Sequence, residues 1–309
     1  MGWIVLALIL IGLAALPVWL NSRLIPMTRD SRDAWPGRTV KLSQGTTRYR
    51  WIGGVRGPVI VAVHGLTTPS EVWDPVAERL TEIGYRILVY DLFGRGGSDD
   101  VSGPQDTAFH VRQLKDLVKA LNLDDELILL GYSMGGQIAA AFAADAPDRV
   151  QRLVLVAPSG IRMEESRFDR FCRQTPVIGD WAYLVFGRRT LARLAGRSAL
   201  DGGHSATIAE VQHKQLARRG YLEAVLSSRR ASLGEPTPEI YRGLGRTGLP
   251  VLAVWGEADT VIPISAMGQL VQWIRTSRQE TLKSAGHGLL YSDADDVAGL
   301  VKSMLLEAR

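Results

Sequence analysis

Ser133 stands in the run Gly131-Tyr132-Ser133-Met134-Gly135-Gly136, between an apolar stretch and an alanine-rich stretch. A G-x-S-x-G run in this setting predicts a tight strand-to-helix turn, because glycines let the two backbones pass without Cβ clashes. Such a turn exposes the serine hydroxyl, which could attack a carbonyl carbon. The sequence therefore points to nucleophilic chemistry at Ser133. The alternative is an ordinary serine in a glycine-rich turn.

A serine nucleophile needs a general base within hydrogen-bond reach and a carboxylate that orients the base. His287 lies in a loop of small residues after the strand-like segment Gln279–Lys283. Asp259 follows the apolar segment Val251–Trp255, and Glu257 is a second possible acid. The chain therefore offers a nucleophile, an acid and a base in that order.

Hydrophobic periodicity predicts the elements that position these residues. The predicted strands are a hairpin of Thr39–Leu42 and Thr46–Ile52, and the buried segments Val59–Val63, Ile87–Tyr90, Leu127–Leu130, Leu153–Val156 and Val251–Trp255. The predicted helices are Glu71–Ile83, Ala108–Leu121, Gly135–Ala144, Ala266–Thr276 and Ala294–Leu306. Alternation of continuous apolar strands with helices predicts an α/β fold, with a mostly parallel sheet covered by helices on both faces.

The alternation stops after Pro158 and resumes near Leu249. We therefore expect a core in two parts, 39–158 and 247–309, with a helical cap at 159–246 over the carboxyl ends of the strands. The cap holds 15 Lys/Arg against 9 Asp/Glu, whereas the rest of the chain holds 21 against 23. This basic excess indicates either a solvated helical surface or a face toward anionic lipid headgroups. The cap aromatic residues, which predict a helical core or an acyl pocket, are Phe168, Phe171, Trp181, Tyr183 and Phe186.

Gly2–Ser22 contains no charged residue, and a helix of this length approaches the ~30 Å of a bilayer core. It predicts a membrane anchor at 1–22, followed by a linker at 23–38. A cleaved secretory signal is the alternative, but a basic n-region and a convincing cleavage site are absent. Pro17 frees one helical carbonyl, which water or headgroups are expected to satisfy. Basic residues after the helix predict that the soluble domain faces the cytoplasm.

Composition excludes several classes of protein. With 46% hydrophobic and 22% charged residues among 309, the chain is unlike disordered or collagen-like sequences. Its one cysteine, Cys172, excludes an intramolecular disulfide. The net charge is +4 without any zinc-finger or RNA-binding spacing, so nucleic acid is not an expected partner. His110, His204 and His213 lack metal-site spacing, and surface or cap positions are expected for them.

Taken together, these motifs resemble the α/β-hydrolase-fold serine hydrolases of the lipase, esterase and carbon–carbon hydrolase branch. The resemblance covers about Arg48–Leu306. It aligns Ser133, Asp259 and His287 with the family's nucleophile, acid and base, and so favours Asp259 over Glu257 as the acid. Haloalkane dehalogenases and epoxide hydrolases of this fold use Asp as nucleophile. The resemblance therefore disfavours those two reactions.

The same resemblance implies roles for three further segments. His64-Gly65-Leu66 resembles the family's oxyanion loop, which implies that the backbone N–H groups of Leu66 and Met134 bind the oxyanion and that His64 is structural. Asp91–Asp99 resembles the structural loop after the fourth strand, where Asp91 would brace the turn. Tyr132 either projects into the substrate cavity or packs beneath it.

The expected reaction is hydrolysis of a carboxylic ester through an acyl-enzyme on Ser133, with no metal or organic cofactor. A membrane anchor beside an apolar, basic cap favours a lipid-like substrate, such as a monoacylglycerol or a medium- or long-chain acyl ester. The alternatives are a carbon–carbon hydrolase of a dienoate or diketone, an acyltransferase with the same triad, and a non-catalytic binding protein. The expected partners are the ester substrate and the membrane, and the oligomeric state stays open.

Overall fold

The computed structural model describes residues 1–234 and 236–307. The strands in this part of the chain are β1 Arg38–Lys41, β2 Thr46–Ile52, β3 Val59–Val63, β4 Arg86–Tyr90, β5 Leu127–Tyr132, β6 Val150–Val156, β7 Val251–Gly256 and β8 Arg278–Leu282. The α-helices are α1 Gly2–Ser22, α2 Arg29–Arg32, α3 Asp74–Thr81, α4 Thr107–Ala120, α5 Met134–Asp145, α6 Arg167–Gln174, α7 Ile178–Ser198, α8 Ser205–Gln215, α9 Tyr221–Ala231, α10 Pro238–Gly245, α11 Ser265–Trp273, α12 Leu289–Ser292 and α13 Ala294–Leu306.

The eight strands form one sheet in the order β1-β2-β4-β3-β5-β6-β7-β8. The first two form an antiparallel hairpin, and β2 also pairs antiparallel with β4, while the pairs from β4 through β8 are parallel. The predicted fold class is therefore confirmed. The parallel strands from β3 to β7 are mostly apolar because helices cover both faces of the sheet, whereas the edge strand β8 is polar. The strand order reverses between β3 and β5, so their carboxyl ends border the crevice where ligands bind in such folds.

The predicted helix Glu71–Ile83 is divided in the structure. A 3₁₀ helix covers Ser70–Trp73, and α3 starts at Asp74 with Pro75 in its first turn. Proline lacks an N–H group and fits the start of a helix better than its interior, which explains the break.

The segment between β6 and β7 supplies five helices. α6, α7, α8 and α9 form a layer with its own apolar cluster around Tyr183, Tyr221 and Val225. In contrast, α10 packs against α5 and α11, and its Tyr241 and Leu244 belong to the main sheet cluster. Four of these helices therefore form the cap, while the fifth, α10, joins the helical layer of the core.

α1 is long and apolar enough to cross a membrane, and only Pro17 among its residues is buried. The chain after α1 contacts the cap through the backbone. The Ile25 amide donates to the Ala217 carbonyl at 2.9 Å, and the Arg219 amide donates to the Ile25 carbonyl at 2.8 Å. The segment between α1 and the sheet is therefore attached to the cap.

Candidate active site

Ser133 occupies the turn between β5 and α5. Its backbone has φ 53° and ψ −118°, a strained conformation for a residue with a Cβ atom. The turn is held by a 2.9 Å bond from the Ser133 amide to the Val156 carbonyl. A Cβ on Gly135 would lie 2.1 Å from the Val63 carbonyl oxygen, and one on Gly131 would lie 2.4 Å from the Gly135 carbonyl oxygen. Both glycines of the motif are therefore required by close backbone packing.

The structure brings Ser133, His287 and Asp259 into one chain of hydrogen bonds. His287 Nε2 lies 3.0 Å from Ser133 Oγ, and His287 Nδ1 lies 2.8 Å from Asp259 Oδ2. The second oxygen of Asp259 accepts the amides of Val261 at 2.7 Å and Ile262 at 2.8 Å. Because an ionised carboxylate can only accept, a neutral His287 carries its proton on Nδ1, and Nε2 can accept the serine hydroxyl. This is the arrangement that a serine nucleophile needs.

Glu257, the alternative acid, is exposed and accepts a 3.3 Å bond from Thr281 Oγ1. It does not join the chain of bonds to His287. Asp259 occupies the position that the sequence interpretation favoured.

Tyr132 lies beneath the histidine loop and also lines the cavity. Its hydroxyl donates to the His287 carbonyl at 2.7 Å, and the two ring centroids are 5.4 Å apart. The hydroxyl therefore ties the end of β5 to the loop after β8. The polar end of the side chain is therefore already bound, and a substrate contact by Tyr132 stays a prediction.

His64 directly follows β3 and is fully buried. Its Nε2 accepts the Leu92 amide at 2.9 Å, so Nδ1 carries the proton that faces the Gly65 carbonyl at 2.8 Å. Burial lowers the pKa of His64 to about 4, although the nearby Asp91 opposes this effect. A neutral imidazole bonded to backbone on both sides supports the structural role expected for His64.

Asp91 is fully buried at the start of the Asp91–Asp99 loop. Its carboxylate accepts the Gly97 amide and the Ser70 amide, each at 2.9 Å, and the Arg48 guanidinium at 2.8 Å. Burial favours the neutral acid, but the Arg48 charge, the neighbouring His64 and the hydrogen bonds from Arg48 and Gly97 together outweigh it, and the pKa of Asp91 falls to about 2. The carboxylate braces the loop, in line with the sequence interpretation.

The proposed oxyanion donors border the same site. Leu66 lines the cavity with Ser133, and Met134 begins α5 directly after the nucleophile. Within residues 1–234 and 236–307, neither backbone amide donates to a protein acceptor. Both amides are therefore available to an oxyanion, and their catalytic role stays a prediction.

Ser133 and His287 open on a cavity of about 610 Å³ between core and cap. Apolar residues that line it are Leu66, Met163, Leu191, Leu194, Leu216 and Leu233. None of the five cap aromatic residues lines it: Phe168, Trp181 and Tyr183 belong to the cap cluster, and Phe171 and Phe186 are exposed. The apolar part of the wall is therefore formed by leucines and Met163 together with Tyr132, Tyr221 and Tyr291, and not by the five cap aromatic residues singled out in the sequence.

Arg229 also lines the cavity, and no motif in the sequence marks it. It is nearly buried, with Nη2 at 3.4 Å from Asp169 Oδ1. Burial alone would lower the pKa of Arg229, but Tyr183 and Asp169 raise it above its usual value. A permanently charged group thus faces the cavity from the cap.

The expected surface or cap position is wrong for His110. It is buried in α4 with Nε2 at 3.2 Å from Ser228 Oγ, and burial holds its pKa well below the usual value. His204 and His213 are exposed cap residues as expected. In the part of the chain that the structure describes, no three His, Cys, Asp or Glu side chains group in a way that could hold a metal ion.

Comparison with known proteins places this site in a family. A profile of the alpha/beta hydrolase fold matches residues 58–294, and the chain belongs to that family.

Two curated relatives and one solved structure are similar to the chain. The chain is 28% identical over 271 residues to a 2-hydroxy-6-oxononadienedioate/2-hydroxy-6-oxononatrienedioate hydrolase of Klebsiella pneumoniae, covering 81% of this chain and 87% of the relative. It is 30% identical over 240 residues to a haloalkane dehalogenase of Mycolicibacterium paratuberculosis, covering 75% of each. The solved structure of a bacterial membrane phospholipase A aligns with a TM-score of 0.72 and 20% identity, over 99% of this chain and 98% of that one.

Proposed function

We propose that this protein is a membrane-anchored serine hydrolase that cleaves lipid-like carboxylic esters. The observation that carries the proposal is the hydrogen-bonded chain from Ser133 through His287 to Asp259, which opens on a cavity walled partly by leucines. A hydroxyl, a base and an orienting acid in this geometry suit acyl transfer. The nucleophile position holds a serine here, whereas an aspartate is expected there in dehalogenases of this fold.

In the proposed mechanism, His287 takes the hydroxyl proton of Ser133 as the oxygen attacks the ester carbonyl. Asp259 holds the imidazole and stabilises the imidazolium that forms. The amides of Leu66 and Met134 donate to the oxyanion, an effect worth ~10²–10³-fold per donor. His287 then protonates the leaving alcohol, and water, activated by the same base, hydrolyses the acyl-enzyme.

Contacts between α1 and the cap support a retained anchor. Asn21 Nδ2 donates to Glu223 Oε1 at 2.8 Å, and the Arg219 guanidinium donates to the Asn21 and Ser22 carbonyls at 3.2 and 3.0 Å. Removal of a cleaved signal would leave these cap groups without partners. The alignment with a membrane phospholipase A also extends over α1, and the basic residues after α1 favour a cytoplasmic domain.

The proposal is tested with p-nitrophenyl esters of increasing acyl length. We expect kcat/KM to rise from acetyl toward octanoyl, because each buried methylene contributes up to ~0.8 kcal/mol. A fluorophosphonate should phosphonylate Ser133 Oγ with loss of fluoride, and Ser133→Ala should abolish both labelling and turnover. Full turnover in that variant would refute the mechanism, and a flat chain-length series would refute the lipid-like substrate.

Arg229 supports a second candidate function, that of a carbon–carbon hydrolase that acts on a dienoate. Its buried positive charge in the cavity wall could pair with a substrate carboxylate, and the Klebsiella pneumoniae relative is named as such a hydrolase. In that case Arg229→Met should raise KM for a dienoate about tenfold or more, since charge-assisted bonds contribute ~1.5–3 kcal/mol. Hydrolysis of neutral esters with no turnover of the dienoate would exclude this candidate.

A further inference from the structure

Pro17 leaves the Leu13 carbonyl without its helical donor, because proline has no N–H group. The expectation was that water or headgroups satisfy this oxygen. Instead, the indole Nε1 of Trp181 donates to it at 2.7 Å. A residue of cap helix α7 therefore contacts the backbone of α1 well inside the apolar helix.

α7 and α1 lie side by side in the same direction. Trp181 meets α1 at Leu13, while residues 184–189 of α7 share a cleft with residues 16–24 around Pro17. The amino-terminal end of α7 thus points the same way as the amino-terminal end of α1. If α1 crosses a bilayer, the start of α7 points into that bilayer.

Helix geometry gives the depth of this contact. α1 spans 21 residues, or about 31 Å, which matches the ~30 Å of a hydrocarbon core. Leu13 precedes Ser22 by nine residues, which places it about 13 Å from that end of an upright helix. Val177 and Ile178 precede Trp181 by one turn and lie farther in the same direction.

The turn between α6 and α7 exposes apolar side chains, as insertion into a bilayer requires. Val177 is 78% exposed and Ile178 is 61% exposed, although both are large aliphatic residues. The nearby acid, Asp180, pairs with Arg230 at 2.7 Å and accepts the Val177 amide at 2.7 Å. The outermost side chains of the turn are therefore apolar, and the nearby charges are paired, Asp180 with Arg230 and Arg173 with Glu165 at 2.8 Å.

Exposed arginines lie farther along α7. They are Arg189, Arg193 and Arg197. Counted from Ile178, they follow at about 16, 22 and 28 Å along the helix axis. Apolar residues at the end of an element with basic residues behind them are typical of segments that enter a lipid bilayer while their charges stay near the headgroups.

We propose that the α6–α7 turn, with Val177 and Ile178 at its tip, inserts among the acyl chains beside α1. The cap then binds the bilayer at a second point, and the bond from Trp181 to Leu13 lies within the lipid. This inference rests on the proposed membrane anchor and is independent of the ester chemistry.

The test places a fluorophore at single cysteines in the full-length chain. The native Cys172 is buried, and burial raises its thiol pKa to about 11, so it stays unlabelled. Val177→Cys is labelled with nitrobenzoxadiazole in phosphatidylcholine–phosphatidylglycerol vesicles, with Ile9→Cys in α1 as the lipid-exposed control. The water-exposed control is Val55→Cys, at a position that is 86% exposed after β2. Ile178→Cys repeats the measurement if the first variant unfolds, as judged by thermal unfolding.

We expect a nitroxide on the lipid acyl chains to quench positions 177 and 9 to the same extent and to leave position 55 bright. Aqueous iodide should do the reverse. Quenching at position 9 with a water-like response at 177 and 178 would overturn the insertion of the turn. A water-like response at position 9 as well would overturn the anchor and this inference together, while the ester assays would still decide the proposed hydrolase activity.

Discussion

Arginine side chains hold both the sheet core and the boundary between core and cap, but their acceptors differ. In the core, Arg48 donates to Asp91 at 2.8 Å and to Glu71 at 2.7 Å. At the boundary, Arg95 is equally buried, yet it donates to the carbonyls of Leu66 and Ala224, each at 3.2 Å, and to neutral side chains. The buried charge of Arg48 is thus compensated by carboxylates, whereas the charge of Arg95 is spread over neutral dipoles.

The pKa values follow this difference. Burial would lower the pKa of Arg48, but Asp91 and Glu71 outweigh burial and raise it. Among the residues that the structure describes, no carboxylate pairs with the Arg95 guanidinium, and burial lowers its pKa to about 10. A positive charge therefore remains next to the carbonyl of Leu66, in the loop proposed to bind the oxyanion.

Contacts with backbone carbonyls also account for part of the basic excess in the cap. Arg188 donates twice to the Leu216 carbonyl, Arg218 donates to the carbonyls of the Asp91–Asp99 loop, and Arg230 donates to the Cys172 and Arg173 carbonyls. Neither a solvated surface nor lipid headgroups describes these residues. They connect helices to neighbouring backbone, and Arg218 and Arg230 also pair with the carboxylates of Asp100 and Asp180.

The largest expected effect concerns the carboxylate of the site itself. In Asp259→Asn the amide oxygen must face the Val261 and Ile262 amides, so the NH₂ group faces His287 and selects the wrong tautomer. We expect kcat for an ester to fall about 10⁴-fold. Thermal unfolding serves as the control and should change little. A loss below tenfold would show that the acid does not orient the base.

The second prediction tests the two kinds of arginine directly. Arg48→Met leaves Asp91 buried without its counter-ion, and we expect a loss of about 3–5 kcal/mol in the free energy of unfolding. Arg95→Met leaves neutral acceptors without a donor, for which about 1–3 kcal/mol is expected. Denaturant unfolding of both variants in detergent gives the comparison. Equal losses would contradict the distinction between carboxylate and carbonyl acceptors.

As the pH falls, protonation of the buried histidines should lower the free energy of unfolding before protonation of Asp91 breaks its ion pair with Arg48. The pKa of His64 is about 4 in the folded protein and ~6.5 in the unfolded chain, so the unfolded state binds the proton first. The free energy of unfolding should therefore fall between pH 6.5 and 4, by up to about 3 kcal/mol from His64.

The same titration contains its own controls. His64→Gln should flatten the slope between pH 6.5 and 4, and buried His110 contributes a slope of the same sign. Asp91, with a pKa of about 2, should weaken the fold only below about pH 4. A wild-type slope in the His64 variant would assign the acid sensitivity to other groups.

The smallest expected effect comes from Arg188→Lys. Arg188 Nε and Nη2 donate to the Leu216 carbonyl at 2.9 and 2.8 Å, and a lysine keeps the charge but loses the planar fork. We expect a cost of about 0.5–1.5 kcal/mol in the free energy of unfolding. Exposed Arg193→Lys is the matched control and should cost nothing measurable. An equal, negligible cost in both variants would mean that charge alone fixes this part of the cap.

Local patterns in the sequence predict the sheet and the position of Ser133, because strand periodicity and the glycines of a turn act over a few residues. Asp259 and His287 follow from their order and from the strands before them. The cavity wall and the bonds from Arg95 to Ala224 and Ser228 depend on contacts between segments more than 100 residues apart, which no local pattern records. The partner of the Leu13 carbonyl was missed for the same reason.

Main-chain carbonyls are present whatever residue occupies a position. Arg188, Arg218 and Arg230 donate to backbone carbonyls, so a substitution at the accepting residue leaves the acceptor oxygen in place. Leu216, whose carbonyl Arg188 holds, also contributes its side chain to the cavity wall. Evolution can therefore exchange that side chain, and with it the shape of the cavity, while the helix stays docked. Such a cap can acquire new substrates without first having to rebuild its attachment.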